Sequence, residues 1–77
     1  MNKERRKALS DIMERLEELK SSVEEIQEEE DESRDNIPEN LQGTERYERS
    51  EEASENLSDA VSSLEDSISS IGEAIVE

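Results

Sequence analysis

The apolar residues of this chain recur with the spacing of a coiled-coil seam, and that leaves few folds open. In the first half Leu9, Ile12, Leu16, Leu19, Val23 and Ile26 follow at gaps of three, four, three, four and three. That alternation places the whole set along one stripe of an α-helix, at the first and fourth positions of a heptad. In the second half Leu57, Val61, Leu64, Ile68, Ile71 and Ile75 run at gaps of four, three, four, three and four. Traced backwards, the second register reaches Ser54, Ser50 and Tyr47, and Ala53, Ala60 and Ala74 widen it on one flank. Traced forwards, the first register meets Glu30 and Ser33 before Ile37, so the stripe fades where the acids thicken between Glu28 and Glu32.

Neither Gly nor Pro occurs before Pro38, and the residues between the apolar positions are good helix formers. A first helix is therefore expected over about 3–34. A second is expected over about 44–76, with Thr44 as its N-cap immediately after Gly43. Gly72 lies inside that helix, at a cost of about 1 kcal/mol relative to Ala. The connection, 35–43, contains Asn36 and Glu39 at the spacing of a capping box, with Pro38 between them. A single helical turn closed by Gly43 is expected there, with Ile37, Leu41 and Tyr47 forming an apolar plug over it.

Two helices of similar length on a short connection fold back antiparallel. The expected architecture is all-α: one domain, residues 1–77, an antiparallel hairpin pairing Val23 with Leu57, Leu16 with Leu64 and Leu9 with Ile71. Each helix would be about 45–50 Å long. Two stripes in one hairpin leave apolar surface wet, which favours association into a four-helix bundle, first of all as a homodimer. Leu9, Ile12, Leu16, Leu19, Val23, Ile26, Leu57, Val61, Leu64, Ile68, Ile71 and Ile75 are the expected self-association interface.

Composition matters because it argues the other way. Apolar residues are only 29% of the 77 residues and the net charge is −15, a balance typical of disordered chains. The sustained periodicity outweighs it. A domain this small also has a limited core, and without Cys it has no disulfide staple.

The same composition excludes most chemistry. With no His and no Cys, nucleophile–base pairs are missing, and the twelve serines have no evident activator. Paired carboxylates abound, but acid–base work needs one of them desolvated, and Glu17, Glu18, Glu24 and Glu25 read as solvent-facing. No glycine-rich phosphate loop occurs. The run from Glu28 to Glu32 lacks the alternating ligands and turn glycine of a calcium loop, and a bundle-core dimetal site would bring His. The expectation is no enzyme, no cofactor and no metal site. Twenty-four acids against nine bases repel nucleic acid and anionic membrane, so no direct contact with either is expected. No apolar run has the length of a membrane span, and no signal-peptide core follows Lys3, Arg5, Arg6 and Lys7, so a cytoplasmic location is expected.

The acidic surface offers a second reading. Carboxylates at helical spacing lie about 5–6 Å apart, comparable to the phosphates of a nucleic acid strand. Glu24, Glu25, Glu28, Glu29, Asp31 and Glu32, extended by Glu51, Glu52, Glu55 and Asp59, are the candidate acidic face for a basic host protein. The plainer reading is that charge keeps a small helical protein in solution. Lys3, Arg5, Arg6 and Lys7 oppose the dipole of the first helix, so a compensating contact is expected, with Glu73 and Glu77 across the hairpin as candidates.

The stretch Asn36-Ile37-Pro38-Glu39-Asn40-Leu41-Gln42-Gly43-Thr44-Glu45-Arg46-Tyr47, followed by a helix rich in Ala, Ser and Leu, resembles one group of proteins. These are the small, acidic, uncharacterised helical-hairpin proteins of phages and mobile elements of low-GC Gram-positive bacteria. The resemblance covers most of the chain but rests on a turn, and transfers no functional residue. It implies a viral or mobile-element setting, where small acidic proteins often inhibit host defence or nucleic-acid enzymes. The first expectation is thus a self-associating interaction or accessory protein. A nucleic-acid-mimicking inhibitor is the alternative, and a coiled coil completed by a different chain is a third.

Overall fold

The computed structural model describes residues 1–76. Two long helices, α1 (Lys3–Asp35) and α2 (Glu45–Ile75), are joined by a connection whose only regular element is the 3-10 turn η1 (Glu39–Leu41). They pack side by side as an antiparallel hairpin 60 Å long and 14 by 12 Å in section.

Local chemistry sets the ends. Asn2 caps α1: its side-chain oxygen accepts from the Arg5 N–H at 2.8 Å, satisfying one of the orphan donors of the first turn. Glu4 sits in that turn and Arg34 in the last one, each with the sign that the helix dipole favours. α1 stops at Asp35, two residues before Ile37, whose backbone is restrained by the following Pro38. Thr44 caps α2, accepting from the Tyr47 N–H at 3.4 Å while its hydroxyl donates to the Leu41 carbonyl at 2.9 Å. The expected capping box does not form. Pro38, not Asn36, stands at the head of the 3-10 turn, and no side chain caps it. Gly43 does not close the turn through a left-handed backbone either, since its φ is not positive.

Helix α2 presents the register that its sequence carries. Tyr47, Ser50, Leu57, Val61, Leu64, Ile68, Ile71 and Ile75 are half-buried, and Ser54 is the only buried residue among those described. Ala74 is half-buried with them, but Ala53 and Ala60, expected to widen the stripe, are exposed because they lie on the flank turned from α1. On α1 the covered row is different. Leu9, Leu16 and Val23 are half-buried as expected, but Met13, Lys20, Gln27 and Arg34 alternate with them. Ile12, Leu19 and Ile26, expected on the same seam, remain 42%, 57% and 56% exposed. α1 is rotated about its axis so that one flank of its stripe, rather than its centre, faces α2.

The cross-helix contacts also run further along α2 than the expected pairing. Lys20 reaches Glu65, Asp31 reaches Ser54, and Gly72 lies beside Met13. Each lies five residues, about 1.4 helical turns, beyond the partner that pairing Val23 with Leu57 would give. The hairpin gains little from burial in this form. No hydrophobic side chain among the described residues is fully buried, so the aliphatics realise only part of the 1.5–3 kcal/mol that full burial of each would contribute.

Candidate interaction surface

The seam changes character along its length. Far from the connection it is aliphatic, built from Leu9, Met13, Leu16, Leu64, Ile68, Ile71 and Ile75. Near the connection α2 supplies Tyr47, Ser50 and Ser54, and α1 answers with a polar cluster. Arg34 donates to the Ser54 hydroxyl at 2.9 Å, to the Ser50 carbonyl at 3.1 Å and to the Ser50 hydroxyl at 3.2 Å. Its other terminal nitrogen meets Asp31 Oδ1 at 2.9 Å, and the Ser54 hydroxyl donates to the same oxygen at 2.6 Å. Gln27 adds a bond to the Ser54 carbonyl at 3.3 Å. Every polar atom of this cluster that is shielded from solvent has a partner, as burial of polar groups requires.

Electrostatics follow from those contacts. The Ser54 hydroxyl, helped by Arg34, holds the Asp31 carboxyl below its usual value of 3.8 despite the desolvation that opposes it. Desolvation alone would lower Arg34, but Asp31, Tyr47 and Glu51 raise it. Lys20 behaves likewise in mid-seam: its desolvation is outweighed by Glu17, Glu65 and Glu24, so its pKa rises. Its ammonium lies 3.6 Å from both Glu17 and Glu65.

The outer face of α1 carries the largest aliphatic exposure. Ile12, Leu19 and Ile26 are seven residues apart, hence about 10 Å from one to the next along the axis, on the same side of the helix. The rest of the expected self-association set, Leu9, Leu16, Val23, Leu57, Val61, Leu64, Ile68, Ile71 and Ile75, lies in the seam between the two helices. The rotation of α1 thus divides one stripe between the seam and solvent.

Of the candidate acidic face, Glu24, Glu25, Glu28, Glu29, Glu32, Glu51, Glu52, Glu55 and Asp59 are exposed. Asp31 is not part of it, because it turns inward to Ser54 and Arg34. Lys3, Arg5, Arg6 and Lys7 are exposed as well, and none forms an ion pair among the described residues. Glu73 is not their partner, and Glu77 lies outside the described residues. The expected contact across the hairpin end is therefore absent as far as it is described.

The connection leaves an open recess of about 720 Å3 rather than a plug. Ile37 and Tyr47 are half-buried, but Leu41 is exposed. Ile37, Pro38, Leu41, Arg34, Arg46 and Arg49 are among its lining residues, with Glu30 the only acid. Arg49 is paired with Glu45 on its own helix. No group of three or more acids among the described residues is placed to hold a metal ion, and no described helix is long and apolar enough to cross a membrane.

Sequence reasoning missed the partners of the seam serines. The signal was present: serines at core positions of one helix call for polar partners on the other, and Asp31 and Arg34 stand at the i, i+3 spacing that lets them act together. No protein-family model matches the chain, and neither does any curated protein or solved structure.

Proposed function

We propose that this chain is a non-enzymatic interaction protein whose hairpin self-associates into a four-helix bundle through the outer face of α1. The observation that carries the reading is the pairing of an unfilled core with an exposed stripe: no aliphatic residue is fully buried, yet Ile12, Leu19 and Ile26 line up in solvent. Apolar residues at heptad spacing on a long helix are the ordinary material of helix–helix association. A bundle would cover them and deepen the burial of the half-exposed seam at the same time. An accessory role in a phage or mobile element, in the cytoplasm, fits the resemblance of the connection and the acidity of the chain.

The inhibitor reading has one observation in its favour. The nine exposed residues of the candidate acidic face form no ion pair among the described residues and stand at helical spacing. They suit a basic groove, and such a contact would weaken as salt rises.

One experiment separates the two. A tagged copy is used to capture partners from a lysate that also contains untagged chain, with washes across a salt series. Self-association predicts recovery of the untagged chain, lost when Leu19→Asp is introduced. The inhibitor reading predicts recovery of a nucleic-acid-binding protein that elutes with salt and is lost when Glu24, Glu25, Glu28 and Glu29 become Gln. Untagged chain that never co-purifies would refute the first reading.

A further inference from the structure

Resting on that reading of self-association, we infer that the two hairpins meet with their α1 helices antiparallel, crossing at Leu19, so that the basic start of one α1 lies against the acidic end of the other. Two features of α1 lead there. The exposed stripe is symmetric about its middle member: Ile12 and Ile26 stand seven residues either side of Leu19. A two-fold axis through Leu19 sets Leu19 against the partner's Leu19 and Ile12 against the partner's Ile26, so each apolar side chain finds an apolar counterpart.

Charge then selects the direction. The first two turns hold Lys3, Arg5, Arg6 and Lys7 against the single acid Glu4, and no described residue of the hairpin pairs with them. The far end holds Glu24, Glu25, Glu28, Glu29, Glu30 and Glu32, with the nearby Asp31 already neutralised by Arg34. Arg5 continues the stripe seven residues before Ile12. In the antiparallel arrangement it falls opposite the partner's Ser33, one turn beyond the partner's Glu29 and next to the partner's Glu32. In a parallel arrangement Arg5 would face the partner's Arg5, and the acidic ends would lie against each other, in a chain that already carries −15. Like charges set side by side along a desolvating interface are disfavoured, and opposite charges fix register. The same geometry gives Arg5 the compensating contact that a helix N-terminus with exposed cations calls for.

The chain has no cysteine, so single Cys substitutions give unique spin-label sites. Ser22→Cys lies close to the two-fold axis, and Ala8→Cys far from it, both at exposed positions. In the antiparallel dimer the labels at position 22 are separated by about 9 Å along the helix axis, and those at position 8 by about 33 Å. In a parallel dimer both pairs are separated only by the distance between helices, about 10 Å before the label arms are added. Pulsed dipolar spectroscopy, with continuous-wave broadening for the short distance, reads both. A short distance at 22 with a long one at 8 is the expected result. Short distances at both sites overturn the direction while leaving self-association standing. Long distances at both, in a sample of dimer mass, overturn the α1 interface. A sample of monomer mass, 8.8 kDa, overturns self-association itself and the direction with it.

Discussion

Replacing Gly72 by Ala tests the hairpin geometry through a gain of stability rather than a loss. Gly72 sits inside α2 with an ordinary negative φ, so the substitution introduces no backbone strain. Alanine is favoured over glycine in a helix interior by about 0.8–1 kcal/mol, because glycine loses more backbone freedom on folding. The new methyl would lie 3.4 Å from the terminal methyl of Met13, with nothing else across the seam within 4 Å. That is a contact with the far end of a flexible side chain, worth about 0.1–0.2 kcal/mol per atom pair and readily adjusted. The sum is about 1 kcal/mol in favour of Ala, which for a domain of this size raises the melting temperature by about 4–8 °C. The assay is loss of helical circular dichroism on heating, with wild type and variant at one protein concentration, since association adds to apparent stability. An unchanged or lower melting temperature would mean that α2 is not a continuous helix at this point, or that Met13 is held too tightly to move aside.

Other outcomes follow from the same contacts. Ser54→Ala removes the hydroxyl that accepts from Arg34 and donates to Asp31. It should cost about 1 kcal/mol in thermal unfolding, with the two charged groups left to each other and to water. Asp31→Asn should destabilise the hairpin at neutral pH. Because Asp31 has its pKa lowered in the fold, its contribution is present above the ordinary carboxylate value and lost as pH falls through the lowered one. The stability gap between wild type and Asp31→Asn should therefore close on acidification below 3.8, and a gap that persists there would contradict the pairing. Arg34→Ala should speed amide hydrogen exchange around Ser50 and Ser54 more than around Ile68 and Ile71, since Arg34 bonds only to the loop-proximal end of the seam. Uniform exchange along α2 would show that the cluster does not anchor that end.

How much of this was legible in the sequence depends on which half is considered. The α2 stripe from Tyr47 to Ile75 is legible in the sequence because its seam faces a single neighbour, except that Ala53 and Ala60 on its flank are exposed. In α1 the period was right and the facing side was half wrong. A heptad stripe names the apolar centre of a helix but not which flank is turned to which neighbour. Here the stripe is turned so that Leu9, Leu16 and Val23 face α2 while Ile12, Leu19 and Ile26 face solvent. Lys20, Gln27 and Arg34 sit in the covered row because long polar side chains cover seam with their stems and carry their heads to partners, which periodicity alone does not reveal. The cap at Thr44 was visible in its sequence context. The capping box at Asn36 was not borne out, since Pro38 itself took the head of the turn.

Whether the hairpin is half of an assembly, as proposed, is decided by sedimentation equilibrium on the unmodified chain across a hundredfold range of concentration. The expected result is a mass of twice 8.8 kDa, dissociating on dilution, and a Leu19→Asp chain that stays at the single mass while remaining helical. A wild-type chain that holds the single mass at every concentration, with its helical signal and cooperative melting intact, would contradict it.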